Sequence, residues 1–175
     1  DDFPVGLMDV ISIPDVNKFF RITPFHKGLF LNPISKEEAS FKLCRVEDKA
    51  TVKNGHVQIA LHDGSNILAK AADSKKPQEV NYETFDILKL SLPEKQVVDH
   101  LKTKKGNLAV ITGGKNIGKQ GRIVEIEKTE AKKRRNALIV IEDDKGARYQ
   151  TILDFVFSIG ATQPLISSLE ATSPV

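Results

Sequence analysis

The sequence predicts a mainly β protein of two small β-rich domains, the second a five-stranded barrel, with one short helix in the first. Three observations carry this reading. Short runs rich in β-branched residues recur along the chain, turn dipeptides separate them, and a single helix-start signal is present. The 175 residues are 40% hydrophobic and 28% charged, which excludes a disordered or collagen-like chain. No run approaches the roughly 20 consecutive apolar residues of a membrane helix. Cys44 is the one cysteine, so neither an internal disulfide nor a zinc knuckle can form, and a reducing compartment is expected.

Taken in order, residues 7–13 and 19–22 read as strands, separated by Pro14-Asp15 and closed by Pro24. Ser35-Lys36-Glu37-Glu38 fits a capping box, with Ile34 and Ala39 at the staple positions, and opens the short helix. Lys53-Asn54-Gly55 between residues 51–52 and 57–61 reads as a hairpin turn. His62-Asp63-Gly64 is a second turn, after which residues 67–69 return to the sheet. Residues 73–77 read as loop and 85–92 as a strand ended by Pro93. A domain boundary is expected within 93–105. Beyond it, residues 108–112, 122–128, 137–142, 148–153 and 155–159 make five strands in about 55 residues, the spacing of a small barrel. Alternation places Phe155 and Phe157 on one face, the barrel interior. From Gln163 onward the chain reads as a polar, frayed tail.

Charge is unevenly divided. Residues 1–100 carry 13 Lys/Arg against 15 Asp/Glu, whereas residues 101–160 carry 13 against 7. A basic second region beside a near-neutral first points to a polyanionic partner for the second.

Gly113-Gly114-Lys115-Asn116-Ile117-Gly118-Lys119-Gln120 nearly matches the nucleotide-binding P-loop. Two features count against it. Gln120 stands where a Ser or Thr hydroxyl holds magnesium, and the residues that follow, Gly121-Arg122-Ile123-Val124, favour a strand over the required helix. Residues 106–123 look instead like a KOW motif, a strand–turn–strand of ribosomal and transcription-elongation proteins. Gly114, Gly118 and Gly121 occupy its sharp bends, where glycine permits positive φ and leaves main-chain amides open to phosphate. Lys115, Lys119 and Arg122 add cations, and Asn116 lies between them.

The resemblance is wider than this loop. Gly6-Leu7-Met8-Asp9-Val10-Ile11-Ser12-Ile13, Lys42-Leu43-Cys44, His62-Asp63-Gly64, the stretch 106–121 and Val156-Phe157-Ser158-Ile159-Gly160 occur in this order. Together, over about residues 4–160, they resemble the archaeal and eukaryotic small-subunit ribosomal protein family S4e. The resemblance implies that residues 1–25 are the end of an N-terminal S4-type RNA-binding domain whose remainder is lacking. It further implies that 26–100 are the central β-rich domain, 101–160 an SH3-like KOW barrel and 161–175 a polar tail. The basic run that follows His-Asp-Gly in the family is thinned here to residues 65–70, and the tail is neutral, which favours an archaeal source.

On this basis the expected function is a non-enzymatic constituent of the small ribosomal subunit, cytoplasmic, with rRNA and neighbouring ribosomal proteins as partners. No cofactor, metal, membrane or small-molecule substrate is expected. The expected RNA-binding residues are Gly114, Lys115, Asn116, Gly118, Lys119, Gly121 and Arg122, joined by the exposed cation run Lys132, Lys133, Arg134 and Arg135. The alternative is a KOW-type protein-interaction module of a transcription or translation factor. Catalysis has little support. His62-Asp63 is chiefly turn chemistry, His26, His56 and His100 lack ligand spacing, and Cys44 sits in an apolar run. Aromatics are only 6% and are not interleaved with basic residues, so recognition of RNA shape and backbone is expected over stacking of bases.

Overall fold

The structure is a computed structural model that describes residues 4–72, 80–127 and 134–167. Thirteen strands among the described residues form three antiparallel sheets. The first is a meander of β1 (Val10–Ile13), β2 (Lys18–Phe25) and β3 (Gly28–Ile34). Pro24 does not close β2, contrary to the sequence reading. The Ile22 N–H donates to the Asp9 carbonyl, so two residues later the proline nitrogen faces the same edge, past the end of β1, where no donor is needed. By the same alternation Pro33 turns its nitrogen to the open side of β3, the outer strand.

The second sheet has the order β6-β5-β4-β7-β8, built from β4 (Phe41–Thr51), β5 (Val57–Leu61), β6 (Asn66–Ala69), β7 (Ile87–Ser91) and β8 (Val97–Leu101). The first half of β4 pairs with β7 and its second half with β5, with a register break between Val46 and Asp48. The sheet therefore curls around Cys44, Val46, Ile59, Leu61, Leu88 and Leu90. At the β4–β5 turn Asn54 and Gly55 both take positive φ, the conformation an Asn-Gly pair supplies at low cost. The capping signal at Ser35 is realised as one 3-10 turn, Glu38–Ser40. The Glu38 N–H donates to the Ser35 hydroxyl, while the Glu38 carboxylate turns away to Arg21 and Ser167.

The third sheet runs β12-β11-β10-β9-β13, from β9 (Leu108–Ile111), β10 (Gln120–Ile126), β11 (Leu138–Glu142), β12 (Arg148–Ile152) and β13 (Val156–Gly160). A 3-10 turn, Leu153–Phe155, joins the last two and carries β13 back beside β9, as in SH3-like barrels. Ala109 and Ile111 face the barrel core with Ile123, Ile139 and Ile141, and Val110 faces outward. That outward face is also buried. Val110 and Phe157 meet Met8 of the N-terminal segment, Leu43 of β4 and Ile87 of β7 in one apolar layer. Phe155 and Phe157 thus separate, contrary to simple alternation, because Phe155 belongs to the 3-10 turn and packs on the barrel core instead.

Polar contacts reinforce this layer. Arg45 of β4 donates through Nη1 to the carbonyls of Asp154 and Val156 at 2.8 and 3.0 Å. The Thr103 and Ser158 hydroxyls share a hydrogen bond at 2.8 Å. Residues 161–167 fold back rather than fray. Ile166 is 3% exposed within the apolar layer, and the Leu165 N–H donates to the Ile159 carbonyl.

Candidate nucleic-acid interface

The glycine-rich segment is the turn between β9 and β10. It leads into a strand, not a helix, so the phosphate-binding geometry of a P-loop does not form. Gly114 and Gly118 adopt φ of +76° and +84°, the left-handed region glycine enters freely. The amides of Ile117, Gly118 and Lys119 are not bare, which corrects the sequence reading for these three. Ile117 N–H donates to Gly114 O, Gly118 N–H to Ile111 O and Lys119 N–H to Asn116 O, so the turn satisfies these three donors itself. The Asn116 amide is also engaged, donating to the Gln150 carbonyl of β12.

Two of the glycines serve close packing. A Cβ at Gly121 would stand 2.1 Å from the Glu142 carbonyl oxygen of β11. A Cβ at Gly118 would stand 2.8 Å from the Phe25 carbonyl carbon and 2.9 Å from the His26 nitrogen. The turn therefore rests, backbone on backbone, against the β2–β3 turn of the first sheet. Sequence reasoning missed this contact; its one local trace is the glycine at 118.

The predicted cations divide. Lys115 is exposed and makes no hydrogen bond or ion pair among the described residues. Lys119 is exposed, with its ammonium 5.5 Å from the Tyr149 ring centre. Arg122 is otherwise committed. Its Nη1 donates to the carbonyls of Gly106 and Ala161 and its Nη2 to that of Thr162, so it ties the returning chain to the barrel. Arg134 donates to the Thr84 hydroxyl and pairs with Glu83 at 3.5 Å; Arg135 pairs with Asp154 at 3.6 Å. Lys132 and Lys133 lie outside the described residues.

His56, His62, His100 and the lone thiol each have a local structural occupation. His62 accepts the Arg45 N–H at Nδ1 and donates from Nε2 to the Leu7 carbonyl, a neutral tautomer with both nitrogens used; burial pushes its pKa down. The Ala71 N–H donates to His56, and His100 contacts Asp86 at 2.7 Å. Asp63 and Asp9 close on the Lys42 ammonium, joining the first and second sheets. Burial alone would raise Asp63, but hydrogen bonds from Lys42 and Ser65 outweigh it and hold the carboxyl well below the usual range. Cys44 is fully buried, and burial pushes its thiol up to about 12, far from a nucleophile's range.

With this geometry in place, known proteins supply the frame. A family model described as Ribosomal family S4e matches residues 16–97. A protein of Desulfurococcus amylolyticus named small ribosomal subunit protein eS4 is 49% identical over 165 residues, covering 94% of this chain. The chain belongs to ribosomal family S4e. The protein of the same name from Staphylothermus marinus is 46% identical, again over 94% of the chain. The chain spans 65% of the length of each of these relatives. The crystal structure of 30S ribosomal protein S4e from Thermoplasma acidophilum superposes with a TM-score of 0.70 at 29% identity, covering 90% of this chain and 73% of that one. The family model ends at residue 97, whereas the matches to relatives run on across most of the chain, barrel included in the structural superposition's 90%.

Proposed function

We propose that the chain is a non-enzymatic structural component of the small ribosomal subunit, working in the cytoplasm by binding rRNA through phosphate contacts and so supporting translation. The observation that carries this reading is the 49% identity, over nearly the whole chain, to a protein named for the small subunit. Its partners are then rRNA and neighbouring ribosomal proteins, and no cofactor enters.

Within that reading the phosphate-contacting set narrows to Lys115 and Lys119 on the β9–β10 turn, with Gly114 at its exposed bend. These cations have no carboxylate partner among the described residues, whereas Arg122, Arg134 and Arg135 have protein partners to leave before reaching RNA. Lys132 and Lys133 stay in the proposed set on sequence alone.

The test has two arms. Co-sedimentation of the chain with small subunits is expected and its absence would refute the function. Salt titration of RNA binding is expected to lose about 0.7 to 0.9 of log–log slope for each of Lys115→Ala and Lys119→Ala, with Arg122→Ala changing it little. An unaltered slope in the double lysine variant would defeat the site assignment while leaving the function intact.

A further inference from the structure

No aromatic–basic alternation is visible in the sequence, yet the fold assembles such a group at the β2–β3 turn. Register places Phe25 opposite Gly28 and Thr23 opposite Phe30, so Phe25 and Phe30 share a face and the glycine puts no side chain between them. Their ring centres lie 5.7 Å apart. The His26 ring leans on Phe25 with centres at 3.9 Å and an interplanar angle of 52°. His26, Lys27 and Phe30 are all exposed.

Gly118 seats on Phe25 and His26, so the β9–β10 turn that carries Lys115 and Lys119 meets the β2–β3 turn that carries Lys27. Lys27 and Lys115 are exposed and have no hydrogen-bond or ion-pair partner among the described residues. The charge is of one sign: residues 16–36 and 101–124 contain no Asp or Glu at all. Aromatic faces flanked by unpaired cations are the two components a single-stranded nucleotide requires, one for the base and one for the phosphate.

We propose that the β2–β3 turn and the β9–β10 turn form one surface on which an unpaired RNA base stacks against His26 and Phe25, its flanking phosphates held by Lys27 and Lys115. The proposal rests on the RNA-binding reading above and deepens it, adding stacking of single-stranded nucleotides to recognition of the backbone. Every base has a π face, so such stacking tolerates sequence, and a ring already braced by its neighbours loses little freedom on binding.

The test uses the full chain with a fluorescein-labelled 12-nucleotide oligouridylate and a 12-base-pair RNA duplex, read by anisotropy across salt. His26→Ala is expected to weaken single-strand binding by about fivefold or more, the low end for loss of one base–aromatic stack, with the duplex unaffected and the salt slope unchanged. His26→Phe is expected to retain binding. Lys27→Ala with Lys115→Ala is expected to lower the single-strand slope by about 1.4. Because His26 is exposed, its variants are expected to keep the wild-type denaturation midpoint, checked alongside.

Wild-type binding that His26→Ala leaves undiminished overturns the stacking while RNA binding stands. A wild-type chain that binds neither probe removes the RNA-binding reading and this proposal with it. If His26→Ala impairs incorporation into small subunits with naked-RNA affinity intact, the turn is a protein contact and the stacking is refuted.

Discussion

Gly118→Ala is the sharpest probe of how the two turns are joined. Its backbone has φ of +84°, a left-handed position that costs an L-residue about 1–2 kcal/mol. The added methyl would also stand 2.8–2.9 Å from the Phe25 carbonyl carbon, the Phe25 Cα and the His26 nitrogen, main-chain atoms that no rotamer change can remove. Relieving an overlap of that kind costs about 1–3 kcal/mol, so the loss expected in total is about 2–5 kcal/mol. Gly146 supplies the control, since φ is +79° and a Cβ there meets nothing within 4 Å. Gly146→Ala therefore carries the conformational cost alone, about 1–2 kcal/mol. Urea denaturation of both variants, extrapolated to water, measures the difference. Equal losses would mean that the β9–β10 turn does not seat on Phe25 and His26, and the shared surface built on that seat would go with it.

Three further outcomes are expected. Arg122→Ala should destabilise the chain by about 1–3 kcal/mol, because three carbonyls lose a charged donor, and native-state hydrogen exchange should accelerate at residues 161–167. Asp63, whose folded pKa lies below its unfolded value near 3.9, contributes stability that is present above about pH 4 and is lost as pH falls; urea midpoints between pH 7 and pH 2 should therefore decline less in Asp63→Asn than in wild type. Cys44, buried and with its thiol near 12, should resist iodoacetamide at pH 8 in the native protein and react promptly in denaturant, as mass spectrometry would register.

Most of the strands were legible because their residues alternate or run in β-branched blocks between turn signals. What escaped did so for physical reasons. The end of β2, and with it the start of β3, was hidden by Pro24, which reads as a breaker until the hydrogen-bond parity of β2 shows its nitrogen facing an unpaired edge. β8 was obscured by Asp99 and His100, polar residues on an outer strand. The 161–167 return is polar on paper, yet two apolar residues, Leu165 and Ile166, are enough to dock it on the layer beneath. The candidate surface was half legible. Glycines and lysines at 114–119 identified the turn, but nothing local says that Gly118 faces the backbone of Phe25 and His26, or that Arg122 reaches for carbonyls at 161 and 162. Long-range partners of this kind are set by the packing of sheets, and no window of sequence contains them.

The layer shared by Met8, Leu43, Ile87, Val110 and Phe157 also bears on how the molecule comes into being at the exit of a translating ribosome. Its first contributors emerge some 150 residues before its last, so the early sheets must wait with one oily side uncovered until β13 and Ile166 arrive to roof it. Arrival of residue 166 and closure of this seam are therefore one event, and a chain halted short of it would expose the surface most inclined to aggregate.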